Sequence, residues 1–317
     1  MNHHPLIVFS GSSHPGLAAA ICRHLEMEPG QSRIWRFPDG EKSIKLESDV
    51  RGRDCFIVQS TCHPVDENLV ELLIFLDCLR RASAARITAV VPYFGYARQD
   101  RKDEGRVPIT AKLAANLITA AGADRLLSVD LHANQLQGFF DIPVDHLTAE
   151  PVIVKYLRTK QIKDLTVVAP DVGNMKTASR YATALGADLA TIYKRRINGC
   201  EVACGEIIGQ VKDRNIVMCD DMITTGGTIC GAVDLLRKRG AGRIIAGATH
   251  GVLTEQGIER IQKADLDEVI VTDTVPTADK AERLNHLKIL SVADLLGEAI
   301  RRIHLNQSVS GIFNGKK

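Results

Sequence analysis

The chain of 317 residues is long enough for one large or two ordinary domains, and its 45% hydrophobic content supplies a real core. Forty lysines and arginines against 38 aspartates and glutamates leave a net charge of +2, which excludes a global field for nucleic acid or anionic membrane, so any anion site must be local. The sequence lacks an apolar run of about 18 residues that could span a bilayer, and the opening MNHHPLIVFSGSS lacks the flank and apolar stretch of a secretory signal; the expectation is a cytoplasmic protein.

In chain order, LIVF (6–9) predicts a strand, and FPDGE (37–41) reads as a hairpin turn between two short strand candidates. CFIVQ (55–59), RITAVV (86–91) and RLLSV (125–129) are further β-branched runs, alternating with segments of helical apolar spacing. TVVA (166–169), NIVMC (215–219), RIIAGA (243–248) and EVIVT (268–272) continue the pattern. Continuous apolar strands alternating with helices predict an α/β fold with mainly parallel sheets flanked by helices. LRRASAARITA (79–89) aligns without a gap on LRKRGAGRIIA (236–246), each a helix end, a small-residue turn and a strand start. This echo predicts two similar α/β domains. The boundary is expected near 147–151, giving an N-terminal domain of 1–148, with the tail 304–317 packed on it, and a C-terminal domain of 149–303. The cysteines at 22, 55, 62, 78, 200, 204, 219 and 230 are scattered, so reduced thiols are expected. Cys200 and Cys204 have no second pair at zinc-ligand spacing.

Several strand ends carry chemistry. VVPYFGYARQDRKDEGR (90–106) gathers Arg98, Gln99, Arg101, Lys102, Asp103 and Arg106, which reads either as a solvated charged loop or as a polyphosphate clamp. VDLHANQLQGFF (129–140) places Asp130 and His132 at the next strand tip, and APDVG (169–173) places Asp171 at another, where a helix N-cap is the plain alternative. YKRRINGCE (193–201) sets three cations before a turn-forming Asn-Gly, the pattern of a surface hairpin. Finally, CDDMITTGGT (219–228) predicts a strand, a turn at 224–228 and a helix over 229–239. Gly226 and Gly227 are expected to take positive φ and turn N–H groups toward an anion at the helix's positive end. With no Walker lysine and no G-x-G-x-x-G, neither a nucleotide-hydrolysing loop nor a dinucleotide fingerprint fits. Asp220 and Asp221 would repel phosphate, but they suit a ligand carrying a vicinal diol beside it, the shape of a ribose 5-phosphate.

IVMCDDMITTGGT (216–228) resembles the loop for 5-phosphoribosyl 1-diphosphate (PRPP) shared by type I phosphoribosyltransferases and ribose-phosphate diphosphokinases, the PRPP synthetases. The class I-like synthetase family is matched end to end, through FSGSS, FPDGE, ENLVELLI, YARQDRKD, DLHANQLQGFFDIP and AIRRIHLNQSVSGIF. The resemblance implies two phosphoribosyltransferase-type domains and Mg2+-dependent transfer of the diphosphoryl group of ATP to ribose 5-phosphate, giving PRPP and AMP. It assigns Lys194 and Arg196 to catalysis, and Phe37, Asp39, Glu41, Arg98, Gln99, Asp103 and His132 to ATP. Asp220, Asp221, Thr224, Thr225, Gly226, Gly227 and Thr228 would hold ribose 5-phosphate; His132 and Asp171 would hold the metal. It further implies a homohexamer whose subunits share active sites, with phosphate and ADP as effectors at Ser48, Arg51, Ser83, Arg106, Ser308, Ser310 and Phe313. A type I phosphoribosyltransferase and a noncatalytic synthetase-associated subunit are the rival readings. Three positions depart from the family pattern: Thr224 in place of a third acid, Asn174 in place of a frequent glycine, and Ser12 with Ser13 in place of Gly-Asn-Ser.

Overall fold

The computed structural model describes residues 4–193, 196–198, 201–202 and 205–313, with backbone alone at 196–198 and 201–202. The chain divides into two compact units. One comprises the described residues within Met1–Thr148, Thr274–Pro276 and Ser291–Lys317; the other comprises Ala149–Asp273 and Thr277–Leu290.

The first unit is built from β1 (Leu6–Ser10), α1 (Pro15–His24), β2 (Ser32–Arg36), β3 (Lys42–Leu46), β4 (Asp54–Val58), α2 (Val65–Arg81), β5 (Arg86–Val91), α3 (Thr110–Ala121), β6 (Arg125–Val129) and β7 (Val144–Leu147). Strands β1, β4, β5, β6 and β7 form a five-stranded sheet in that order, every neighbouring pair parallel. Their apolar runs are buried because helices supply the apolar partners: Leu72, Phe75, Leu76 and Leu79 of α2 and Ala111, Ala115 and Ile118 of α3 join Phe9, Ile57 and Leu126 in one core. β2 and β3 pair antiparallel as a separate two-stranded ribbon, the hairpin expected around FPDGE.

The second unit contains α4 (Glu150–Thr159), β8 (Leu165–Ala169), α5 (Met175–Leu185), β9 (Asp188–Tyr193), β10 (Arg196–Asn198), β11 (Glu201–Val202), β12 (Glu206–Ile208), β13 (Asn215–Ile223), α6 (Gly227–Lys238), β14 (Ile244–Gly251), α7 (Glu255–Lys263), β15 (Glu268–Thr272), α8 (Ala278–Ala281) and β16 (Leu287–Leu290). Its seven-stranded sheet runs β12-β9-β8-β13-β14-β15-β16, parallel except for β12 against β9. From β8 the chain moves outward to β9 and then returns to β13 on the other flank of β8. This reversal is a topological switch point, where the loops after β8 and β13 diverge and leave a crevice. β10 and β11 form a short antiparallel ribbon.

The last helix, α9 (Ala293–His304), corrects the expected domain limit. The sequence reading assigned 149–303 to the second domain, whereas 291–303 belongs to the first unit. The cause is packing: α9 lies against α1 and buries Leu296, Ala299, Ile300 and Ile303. A charge clamp reinforces it. Asp54, only 2% exposed, starts β4 directly opposite Arg86 at the start of β5. Arg86 donates through Nε to Asp54 Oδ1 at 2.8 Å and through Nη2 to Asp54 Oδ2, a forked pairing that offsets the burial of the carboxylate. The same guanidinium donates to the Ile303 carbonyl and to Asn306 Oδ1, both at 2.9 Å, and His304 Nδ1 lies 2.8 Å from Asp54 Oδ2.

The echo between 79–89 and 236–246 places Arg243 where the first copy has Arg86. Arg243 also meets a buried acid at a strand start, donating to Glu268 at 3.1 Å. Lys160 at 2.9 Å and the Tyr156 hydroxyl at 2.5 Å complete the shell of Glu268. Among the described cysteines, 22, 55, 62, 78, 219 and 230 form no disulfide; Cys200 and Cys204 lie outside the described residues.

Removing one partner of a buried pair strands the other. Asp54→Ala should therefore lower unfolding stability by about 3 kcal/mol or more in urea titrations, because Arg86 and His304 lose their shared acceptor. A change below about 1 kcal/mol would mean that the clamp does not anchor α9.

Candidate active site

β13 extends further than its apolar run. The sequence reading ended the strand at Cys219, but parallel pairing with β14 continues through Asp220↔Ala248 and Met222↔His250 to Ile223↔Gly251. Asp220 and Asp221 are therefore strand residues at the switch point, held by the sheet ladder rather than by a loop. α6 begins at Gly227, two residues earlier than expected. Gly226 takes φ 68°, the left-handed conformation that a Cβ disfavours, while Gly227 does not share it.

The turn between β13 and α6 is braced by the start of α7. The carbonyl of Ile223 accepts from Leu253 N at 2.9 Å, and that of Thr224 accepts from Thr254 N at 3.0 Å and from Thr254 Oγ1 at 3.2 Å. The Thr225 carbonyl accepts from Arg260 Nη1 at 3.2 Å. Gly257 permits this close approach, since a Cβ there would lie 2.3 Å from the Thr224 oxygen. With these carbonyls engaged on the α7 side, the opening amides of α6 form the positive end of the helix. Thr225, Gly227 and Thr228 are exposed there. The brace was missed in the sequence. Its one local signal is the T-x-x-G start of α7, where Thr254 Oγ1 accepts from Gly257 N at 3.2 Å.

Across the switch point, Asp171 follows β8 and caps the short turn Val172–Asn174, accepting from Asn174 N at 3.1 Å. The Asn174 side chain donates from Nδ2 to Asp220 Oδ1 at 2.8 Å, and Asp221 N donates to the same oxygen at 2.9 Å. Asp220 is pushed up to about 7 by burial first, then by the neighbouring Asp221 carboxylate and more weakly by Asp171. The structure thus brings together Asp171, Asp220, Asp221 and the loop from Thr224 to Thr228. Among the described residues, no group of three or more His, Cys, Asp or Glu side chains is gathered closely enough to hold a metal.

The remaining candidates lie elsewhere. Phe37, Asp39 and Glu41 occupy the β2–β3 turn, closed by Phe37 N donating to the Glu41 carbonyl at 2.9 Å; the Phe37 ring is 47% exposed and meets Trp35 edge-on at 6.1 Å. Arg98, Gln99 and Asp103 lie exposed on the loop after β5, where the Thr110 hydroxyl donates to Gln99 Oε1 at 2.5 Å. His132 is exposed beyond the end of β6. Lys194 lies outside the described residues, and Arg196 is described only as backbone in β10. Of the regulatory candidates, Arg51 donates to Ser83 Oγ at 3.3 Å, and Ser48 Oγ accepts from Gln31 N at 2.8 Å. Arg106 is exposed at φ 64°, and Ser308, Ser310 and Phe313 flank the final turn, where Phe313 N donates to the Ser310 carbonyl at 3.2 Å.

The FSGSS and ENLVELLI blocks meet in the first unit. Ser12 N donates to Glu71 at 2.6 Å, Ser13 Oγ to Gln59 Oε1 at 2.7 Å, and Lys42 pairs with Glu71 at 2.6 Å. Ser12, Ser13, Lys42 and Glu71 line a cavity of about 410 Å³ with Trp35, His63 and Glu67.

Comparison with known proteins gives these features a family. The description "N-terminal domain of ribose phosphate pyrophosphokinase" matches residues 6–122, and "Phosphoribosyl synthetase-associated domain" matches residues 200–314. The chain is 54% identical to the ribose-phosphate pyrophosphokinase of Rhodopirellula baltica, over 97% of this chain and 98% of that protein. It is 49% identical to that of Chromobacterium violaceum, over 98% and 95% respectively. The structure of phosphoribosylpyrophosphate synthetase from Mycobacterium smegmatis superposes with a TM-score of 0.89 at 42% identity, covering 95% of this chain and 99% of that one. Matched along nearly its whole length, the chain belongs to the ribose-phosphate pyrophosphokinase family of enzymes.

Proposed function

We propose that the protein transfers the β,γ-diphosphoryl group of ATP to the 1-hydroxyl of ribose 5-phosphate, releasing PRPP and AMP, and that the switch-point crevice binds the acceptor. The observation that carries the assignment is an acid pair fixed in a strand immediately before an anion-binding turn. The phosphate of ribose 5-phosphate takes the amides around Thr224, Thr225, Gly226, Gly227 and Thr228, while its hydroxyls donate to Asp220 and Asp221. The acceptor oxygen attacks the β-phosphorus, releasing its hydroxyl proton to solvent, as the bond from that phosphorus to the bridging oxygen of the α-phosphate breaks. AMP leaves with the electron pair. Alignment and charge neutralisation are the main requirements of such a step, and no covalent nucleophile is needed.

ATP is assigned to Arg98, Gln99, Asp103 and His132, with Phe37, Asp39 and Glu41 of a neighbouring subunit holding the adenine. The solvent-facing ring of Phe37 supports this, being a flat apolar surface available for stacking. Lys194 and Arg196 neutralise the charge that develops on the transferred group. Magnesium would be held by Asp171 and His132. The Asp171 carboxylate is the kind of oxygen donor favoured by magnesium, an ion that retains most of its waters. When bound, the ion supplies charge neutralisation on the triphosphate. The protein is proposed to act in the cytoplasm as a homohexamer. Phosphate and ADP would act at Ser48, Arg51, Ser83, Arg106, Ser308, Ser310 and Phe313, a set supported by the Arg51–Ser83 contact. Among the described residues, no helix is long and apolar enough to cross a membrane.

The deciding experiment is incubation with ATP, Mg2+ and ribose 5-phosphate. AMP and PRPP should appear in equal amounts; a phosphoribosyltransferase would release no AMP, and a noncatalytic subunit would produce neither. Lys194→Ala should reduce kcat by on the order of 100-fold with ribose 5-phosphate affinity nearly unchanged; a normal kcat would refute its role. The acid pair also predicts a stability signature. Asp220 keeps its proton in the folded protein up to about pH 7 and loses it on unfolding above its ordinary value near 3.8, so its contribution falls as pH rises between the two. In metal-free buffer, Asp220→Asn should raise Tm by several degrees at pH 8, with the gain shrinking toward pH 5, and should weaken ribose 5-phosphate binding. A Tm gain independent of pH would rule out the buried charge as its source.

A further inference from the structure

Asn174 joins the two sides of the switch-point crevice. Its backbone N–H donates to Asp171 Oδ1 at 3.1 Å on the β8 side, and its side-chain Nδ2 donates to Asp220 Oδ1 at 2.8 Å on the β13 side. The residue is 9% exposed. Asp220 Oδ1 accepts both from this amide and from Asp221 N, which sets the NH2 toward Asp220. The other end of that amide, Oδ1, is buried and has no hydrogen-bond partner among the described residues. A buried acceptor left unpaired costs stability, so a residue serving only to fill this space would be better made apolar. What the amide gains in return is control of one carboxylate.

We propose that Asn174 is a positioning residue for the sugar acceptor. With the Asp221 N–H at 2.9 Å, it holds Asp220 by Oδ1, so that the carboxylate is oriented before the substrate arrives and meets the diol through its other oxygen. Substrate binding then requires less ordering of this side chain. The inference rests on the reading that Asp220 and Asp221 bind ribose 5-phosphate. It adds that their affinity for the diol depends on a neutral side chain reaching across from the β8 loop.

The test compares Asn174→Ala and Asn174→Leu with the wild-type enzyme, the leucine matching the volume in case the smaller side chain impairs folding. Calorimetric titration with ribose 5-phosphate should show roughly tenfold weaker binding in either variant. KM for ribose 5-phosphate should rise in parallel, while KM for ATP and kcat stay within about twofold. Tm should change little, since loss of the hydrogen bond to Asp220 is offset by removal of the unpaired oxygen; a purely structural residue would lower Tm markedly and disturb both substrates together. Unchanged ribose 5-phosphate affinity, or a general loss of stability with both KM values altered, overturns the proposal. Asp220→Asn and Asp221→Asn serve as controls. If they weaken ribose 5-phosphate binding and the Asn174 variants do not, only the role of Asn174 fails; if they leave it unchanged, the acceptor-site reading fails and the role of Asn174 falls with it.

Discussion

Two carboxylates must be kept side by side, half-buried, next to a turn suited to phosphate. Each part of that requirement works against folding, because burial and mutual repulsion both favour protonated acids. The second unit meets the requirement with rigidity. Asp220 and Asp221 sit within the β13 ladder, Asn174 and a strand amide hold Asp220 by one oxygen, and the start of α7 braces the following turn. A flexible loop with the same residues could turn the acids apart. A strand still paired with β14 on both sides of the acids cannot.

How far this could be read from sequence depends on where apolar pattern and chemistry coincide. The largely buried strands at 86–91, 125–129 and 268–272 are legible to the residue, because a central parallel strand is apolar on both faces. The strands at 144–147, 188–193 and 287–290 were not identified; VDHL and LKIL are four residues long and mostly only partly buried, and DLATIY is exposed at both ends. The acid pair hid the true length of β13, since a reading based on hydrophobicity stops at the first charge while ladder pairing does not. The glycine turn was legible because only a left-handed residue fits at 226. The brace from α7 was not, as it consists of backbone hydrogen bonds between segments about thirty residues apart.

The internal echo shows the same limit. Its two copies identify equivalent helix-to-strand corners, and in each the arginine at the strand start meets a buried acid. The partners differ: Arg86 reaches Asp54 on the preceding strand of the sheet, whereas Arg243 reaches Glu268 on the following one. The local motif is repeated, but the side on which it finds its counter-charge depends on sheet order, and only the first copy also captures α9.

The placement of α9 has a consequence for the order of events at the ribosome. The first unit draws on both early and late stretches of the chain, with Leu296, Ile300 and Ile303 covering α1 and with Arg86 waiting for the Ile303 carbonyl and Asn306. Although domains tend to form as they emerge during synthesis, this one cannot close until α9 has been translated. Its nascent half must travel with an uncovered apolar flank while the second unit, whose parts lie nearer together along the chain, is completed ahead of it.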